Sequence, residues 1–573
     1  MYKLKVAITL PLFLIAALSP SLAEDTIIRE QNAVTVHTDE VVGKLYNLWD
    51  VRVINVPELW AEPGFAEMMA ATSVYANNMV SVRILGGNHN NSCEWFKGVD
   101  ENGKVIVDTE GFLDILRAQH RVGFNPWIIL DNVPWAMSPN GERQFYGQCY
   151  PPKDMDVWFE YVRTLAQAMV DEFGMEEVKN WRFRVGTEPD SYPRHWTGTM
   201  EEYFKHYDYT VAALESVIEN PRVGPGNILN PVTIQNAHKK KGRWGLKILE
   251  HCARGTNYYT GEVGTRIEFF STSAYANTQK IFQFDEGMRL LRAEMDKYPE
   301  LKDTTLEIHE FGEVRECLSK DDALSNTEFF VGLYAYSVDT AYKYNVRRIY
   351  NWDHHLGMVY TWYQTTPGLF QPWTKVMGCL EEMVDGERVK VERSSDKKVR
   401  HGAVSAWKDG KLHILAYSHH DDPNVEFEND IDLMIAGDRF NQHQNWTLEE
   451  KLLDKDNGVY IHQLYADIEA EGIMPGEISF PIQRNLERRY GKVRPMDKKA
   501  FSHGTKEGLP EGEANRKAAS AVAKKNLEKY QQMGEMKVVR AGDVLALQDG
   551  KLNLNLNFKS SGIRFITLTP KGL

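Results

Sequence analysis

Between residues 45 and 353, short runs in which apolar and polar side chains alternate recur eight times, and longer stretches with apolar positions three or four apart lie between them. The first period is that of a strand and the second that of a helix. The strand-like runs are LYNLWDVRVI from 45, SVRILGG from 81, NPWIILDN from 125, WRFRVGTE from 181, RVGPGNI from 222, IEFFSTSAYA from 267, LEIHEFGE from 306 and RRIYNWD from 347. Helix-like stretches cover 154–173, 200–219, 283–297 and 326–344; in the first of them Val157, Tyr161, Leu165 and Ala168 share a face. Eightfold alternation of strand and helix predicts an α/β fold, a (β/α)8 TIM barrel, over residues 43–385.

From about residue 386 to 573 the strand period takes over. KVRHGAVSAWKDGKLHILAYSHH reads as two strands about an Asp-Gly turn, and LNLNLNF and IRFITLTP near the end read the same way. These residues predict an accessory antiparallel β-sandwich, which the alternating residues 24–42 are expected to join. A charged, helix-like insertion interrupts it near 485–535. At the start, Lys3 and Lys5 precede an apolar run from Val6 to Leu18, and small residues at Ser21 and Ala23 follow. That is the layout of a signal peptide over 1–23, so the mature chain is expected to be exported, periplasmic or extracellular, with no membrane span.

Composition adds three constraints. Of 573 residues, 42% are hydrophobic, and 14 Trp with 26 Tyr supply flat side chains for a core and for a sugar-binding cleft. A net charge of −13 argues against nucleic acid as a partner, since phosphate binding needs a basic face. Five cysteines in an exported chain allow at most two disulfides. Cys93 and Cys149 fall in loops after the second and third strands, on one face, and are the expected pair; Cys252 and Cys379 read as buried helix residues.

The chemistry sits at two strand ends. The run Trp181, Phe183, Val185 stops at Gly186 and delivers Glu188 just before Pro189; 122 positions later, LEIHEFGE offers Glu310. Two carboxylates on separate strand ends, facing one mouth, are the minimum equipment for cleaving a glycosidic bond. Glu307, three positions before Glu310, is expected on the opposite strand face, away from the axis, and Glu313 beyond the strand. Candidate substrate contacts at other strand ends are His89, Asn90, Asp131, Trp135, Trp196, Tyr275, Trp352, Asp353, His354 and His355. A basic run in the fifth loop, Lys239, Lys240, Lys241 and Arg243, suits a sulfated or uronic-acid polysaccharide. No histidine spacing demands a metal, and no cofactor is expected.

These motifs resemble glycoside hydrolase family 39, the β-xylosidases and α-L-iduronidases among the barrel glycosidases. The family's acid/base strand ends in Asn-Glu-Pro, followed by a Trp-Gly-Thr segment and a Glu-Tyr-Phe helix; here the chain reads VGTEPD and then HWTGTMEEYFKHY. Its nucleophile strand ends in Glu-Phe, as HEF does at 309–311. The resemblance implies Glu188 as acid/base, Glu310 as nucleophile, retention of configuration, and Tyr275 as the family's sixth-strand tyrosine. It also exposes two departures. The family's sugar-binding Asn before the acid/base is Thr187, and its sixth-strand His is Ser273. Recognition of the hydroxyl beside the anomeric carbon is therefore expected to differ, as for a sugar substituted there. The implied partner is a polysaccharide or oligosaccharide; a transglycosylase and a carbohydrate-binding protein on a disabled barrel are the alternative readings.

Overall fold

The structure is a computed structural model that describes residues 27–54, 64–73, 79–88, 93–138, 147–229, 244–276, 283–313, 327–352, 357–361, 364–423, 425–472 and 520–571, with positions 57, 60, 75–77, 231, 232 and 518 besides. The expected signal peptide and most of the charged insertion lie outside the described residues. Strand β1 is Ile28–Lys44. There follow eight strands, β2 (Trp49–Ile54), β3 (Met79–Arg83), β4 (Asn125–Leu130), β5 (Arg182–Val185), β6 (Arg222–Pro225), β7 (Phe269–Ala276), β8 (Thr305–Glu313) and β9 (Val346–Trp352). Except for β6 and β7, all pair in parallel with their neighbours in chain order, and β9 returns to pair with β2. The seam between β6 and β7 is made by a parallel bridge from Ile228 to Thr272 and by the amides of Ile228 and Ser273, which donate to Ser271 O and Ile228 O at 2.9 Å. The parallel sheet thus comes back on itself, with helices Met155–Phe173, Met200–Glu215, Phe284–Met295 and Thr327–Lys343 among those between its strands.

Alternation sorts the strand residues. Trp181, Phe183 and Val185 of the acid-bearing segment are fully buried in the layer between sheet and helices. Arg182 and Arg184 take the opposite phase and point inside, where Arg184 stacks over Trp127 at 4.9 Å. Trp127 of β4 meets His309 of β8 and Tyr350 of β9, strands that are not its neighbours, so these rings fill the interior. Glu307 joins them. Its carboxylate accepts from Arg182 across the interior at 2.5 and 2.6 Å and lies 2.7 Å from His309 Nε2. The expectation that Glu307 points away from the axis is corrected by an irregularity: Ile308 pairs with Thr272 and Glu310 with Ser273, so His309 is an extra residue that resets the alternation.

Eight further strands, β10 (Glu387–Arg393), β11 (Arg400–Lys408), β12 (Lys411–His419), β13 (Phe427–Ala436), β14 (Asn445–Leu453), β15 (Lys537–Ala546), β16 (Lys551–Phe558) and β17 (Gly562–Pro570), form one nine-stranded sheet with β1. Its order is β15-β14-β17-β12-β11-β10-β1-β13-β16. Residues from distant parts of it, including Val36, Trp407, Ile431, Trp446, Leu554 and Ile566, share one core, so a single bent sheet supplies both layers. It is not purely antiparallel, because β1 runs parallel to β13. The turn between β11 and β12 is made by Asp409 (φ 50°) and Gly410 (φ 73°), the pair of positive angles that a two-residue hairpin needs.

Candidate active site

The acid-bearing strand leaves the sheet through Gly186 at φ 82°, and Glu188 itself is held at φ 39°. Such a conformation persists in a non-glycine residue only when the surroundings fix it. Here the Glu188 amide donates to Asn227 O at 2.9 Å and its carbonyl accepts from Ser191 N at 2.8 Å, while a Thr199–Glu202 capping box starts the following helix. Glu310 comes from β8, in register with Ser273 of β7.

The two glutamates meet at one hydroxyl. Ser273 Oγ lies 2.6 Å from Glu188 Oε1 and 3.5 Å from Glu310 Oε2, so these two carboxyl oxygens can be no further apart than the sum of those distances, about 6 Å. Tyr275, two residues on and on the same strand face, donates its hydroxyl to Glu310 Oε2 at 2.7 Å. Asn227 Nδ2 donates to Ser273 Oγ at 2.8 Å. His195 Nε2 lies 3.4 Å from Glu188 Oε2. Beneath them, buried Arg184 donates from Nη2 to Thr187 Oγ1 at 2.7 Å and from Nε to Gly186 O at 3.0 Å.

Burial, and then the negative charge of Glu310, push the Glu188 carboxyl up to about 8, against the pull of the Ser273 hydroxyl and of Arg184. Burial likewise raises Asp190 to about 7, although the amide of Leu229 donates to it at 3.1 Å. Arg184 is lowered by burial to about 10, with Glu310 opposing, and stays cationic at neutral pH. A proton held on Glu188 beside a second carboxylate and a fixed cation is the electrostatic layout of an acid and a nucleophile at one centre.

The other expected contacts divide. Thr187 lies in the site, and its hydroxyl oxygen accepts from Arg184. Asp131 is held by Arg83 at 2.7 and 3.0 Å, both buried. Trp196 is packed rather than presented: its indole N–H donates to Thr199 O, and its ring lies against Tyr203 and His206. Together with Asn132, Gln148, Thr187 and His195 it lines a cavity beside the acid strand. Trp135, half-buried, has its amide on Glu94 Oε1 at 2.7 Å. Trp352 ends β9. His89, Asn90, Lys239, Lys240, Lys241, Arg243, Asp353, His354 and His355 lie outside the described residues, and of Glu313 only its place in β8 is described. The expected Cys93–Cys149 disulfide is absent: both are buried thiols, and Cys149 donates to Arg194 O at 3.0 Å. Cys252 and Cys379 are buried thiols in helices. Among the described residues no group of three or more His, Cys, Asp or Glu is placed to hold a metal.

Sequence reasoning missed Arg184, His195 and Asn227. Arg184 could have been found as a charge in the phase of β5 opposite its apolar residues, and His195 from its place in the HWTGT segment. Asn227 carries no signal, since only closure of the β6–β7 seam brings it to Ser273.

The family model described as "Glycosyl hydrolases family 39" matches residues 105–323. A β-xylosidase of Caldicellulosiruptor saccharolyticus is 31% identical over 156 residues, 27% of this chain and 28% of that protein. An α-1,4-L-rhamnosidase of Formosa agariphila is 24% identical over 243 residues, 39% of this chain and 46% of that protein. The matched stretches therefore span less than half the length of these relatives. In fold, the chain is similar to a bacterial orthologue of human α-L-iduronidase, with a TM-score of 0.62 at 16% identity, covering 95% of this chain and 85% of that one. Over residues 105–323 the chain is similar to glycosyl hydrolases family 39.

Proposed function

We propose that the protein is an exported retaining glycoside hydrolase that cleaves glycosidic bonds in a polysaccharide or its oligosaccharides by double displacement. One observation carries the reading: Glu188 and Glu310, from strands that are not neighbours, share the hydroxyl of Ser273. The bound of about 6 Å on one pair of their oxygens is compatible with the roughly 5–5.5 Å carboxyl separation of retaining enzymes. Glu310 has Oε2 fixed by Tyr275 and Oε1 without a donor among the described residues, which leaves Oε1 to attack the anomeric carbon. Glu188, protonated at neutral pH, gives its proton to the leaving oxygen. It then takes a proton from the water that hydrolyses the glycosyl-enzyme.

The sugar is read from what the site has given up. Thr187 accepts from Arg184 where the family has an Asn, and Ser273 is engaged with both glutamates where the family has a His, so the contact to the hydroxyl beside the anomeric carbon is altered. This favours a sugar that presents that hydroxyl differently from xylose, either substituted or axial. Rhamnose, the sugar in the name of the Formosa agariphila relative, carries it axial. The expected export rests on the N-terminal leader pattern; no described helix is long and apolar enough to cross a membrane. The test is turnover on neutral and anionic oligosaccharides, rhamnosides and xylosides included, with the first-formed anomer read by NMR. A retained anomer supports the mechanism. An inverted one, or turnover undiminished in Glu188→Gln or Glu310→Gln, defeats it.

A further inference from the structure

Ser273 has a role beyond occupying the place of a lost sugar contact. Its Oγ lies 2.6 Å from Glu188 Oε1, 3.5 Å from Glu310 Oε2 and 2.8 Å from Asn227 Nδ2. A hydroxyl has one proton and two lone pairs. Asn227 donates into one lone pair, which leaves one lone pair and one proton for two carboxyl groups. Both carboxyls are then satisfied in one protonation state only, with one of them donating into Oγ and the other accepting from it. With both ionised, one carboxylate goes without the hydroxyl; with both protonated, one acid proton finds no lone pair. We propose that Ser273 is a positioning residue that bridges Glu188 and Glu310 and, with Asn227 behind it, holds the pair in its singly protonated form.

This inference rests on the double-displacement reading, whose first step needs that form: a proton on Glu188 and a charge on Glu310. One contact biases the proton toward Glu188: Tyr275 already donates to Glu310 at 2.7 Å, which favours the charge there. The 3.5 Å leg is long for O–H···O and is the one that shortens when the hydroxyl proton turns to Glu310. Other charged groups also face the pair: Arg184 from β5, Asp190 and His195 from the loop after it, and the Arg83–Asp131 ion pair beyond Arg184. Their charges move both titration steps in the same direction. A bridge that favours the middle form moves the two steps apart.

The pH dependence of kcat/KM tests this, because two coupled carboxyls titrate in two macroscopic steps that form the two limbs of a bell. Ser273→Ala is expected to narrow the bell from both sides, the acid limb moving up and the alkaline limb down by about 0.5–1 pH unit each, the scale of one hydrogen bond. Ser273→Thr, which keeps a hydroxyl, restores the separation. Asn227→Leu frees a lone pair on Oγ, so the doubly protonated form is satisfied too and only the acid limb moves, upward; this variant keeps the test standing should Ser273→Ala not fold. A fall in kcat with both limbs unmoved, both limbs shifting the same way, or Ser273→Thr behaving as Ser273→Ala overturns the proposal. Turnover that survives in Glu188→Gln or Glu310→Gln strikes instead at the underlying reading, and those variants are measured first.

Discussion

At the scale of single residues, the site is a proton held in the wrong place by ordinary standards. Glu188 keeps its proton to about pH 8 because it is buried beside another carboxylate. Activity governed by kcat/KM should therefore fall as pH rises through about 8, and Glu188→Gln should lower kcat by on the order of a hundred- to ten-thousandfold while substrate still binds. The same burial has a cost in stability with a definite sign. The folded pKa lies above the unfolded value of 4.5, so the native state binds the extra proton between the two. The contribution is whole below about pH 4.5 and is lost as pH rises through about 8; Asp190, raised to about 7, acts in the same sense. Thermal melts from pH 5 to 9 should show the wild-type midpoint falling while Glu188→Gln falls less, the variant being the more stable one at pH 9. A wild-type curve that runs parallel to the variant would refute this.

At the scale of elements, what positions the glutamates is the closure of the parallel sheet and the charged layer beneath them. Gly224 in β6 sits so close to β7 that an added Cβ would lie 2.5 Å from Phe269 O and 2.4 Å from its ring. Gly224→Ala should strain the seam, at about 1–3 kcal/mol of destabilisation, and should lower kcat by displacing Asn227 and Ser273. Urea unfolding alongside kinetics separates the two effects. Lower in the interior, burial works against a charged Glu307, yet Arg182 and His309 hold its carboxyl well below the usual range. His309 is itself depressed by burial to about 3, so a neutral imidazole donates Nε2–H to Glu307. Glu307→Ala would leave Arg182 buried and uncompensated, and should cost about 3–5 kcal/mol by the same unfolding measurement. A loss under 1 kcal/mol would show that water or another group takes the place of the carboxylate.

At the scale of the whole molecule, the two sheets are not independent bodies. Helix Thr327–Lys343 lies between them, with Asp339 accepting from the Tyr417 hydroxyl at 2.8 Å and Tyr336 accepting from Arg400 at 3.0 Å. One apolar core runs from Val331, Leu333 and Val338 of this helix to Val404, Leu415, Tyr417 and Phe565 of the second sheet. β1 belongs to that sheet as well, so the chain enters through the second domain before it builds the first. A chain ending at residue 385 exposes this core and should be recovered unfolded or aggregated. The full chain should melt in one transition by both circular dichroism and tryptophan fluorescence. Two well-separated transitions would show that the shared core does not couple them.

The sequence by itself determined which segments are strands and helices and where the two glutamates stand along them, because period and turn residues are local properties. Each of the eight strand-like runs overlaps an observed strand, with HEF inside one of these strands and TEPD just beyond another. Only the tertiary structure decided which polar residues face the centre. The extra residue at His309 turned Glu307 inward against the alternation, the meeting of β6 and β7 carried Asn227 to Ser273, and packing set the unbonded Cys149 thiol against Arg194 O. Each of these outcomes depends on atoms tens of residues apart being brought within a few ångströms, and no period along a chain records such a meeting.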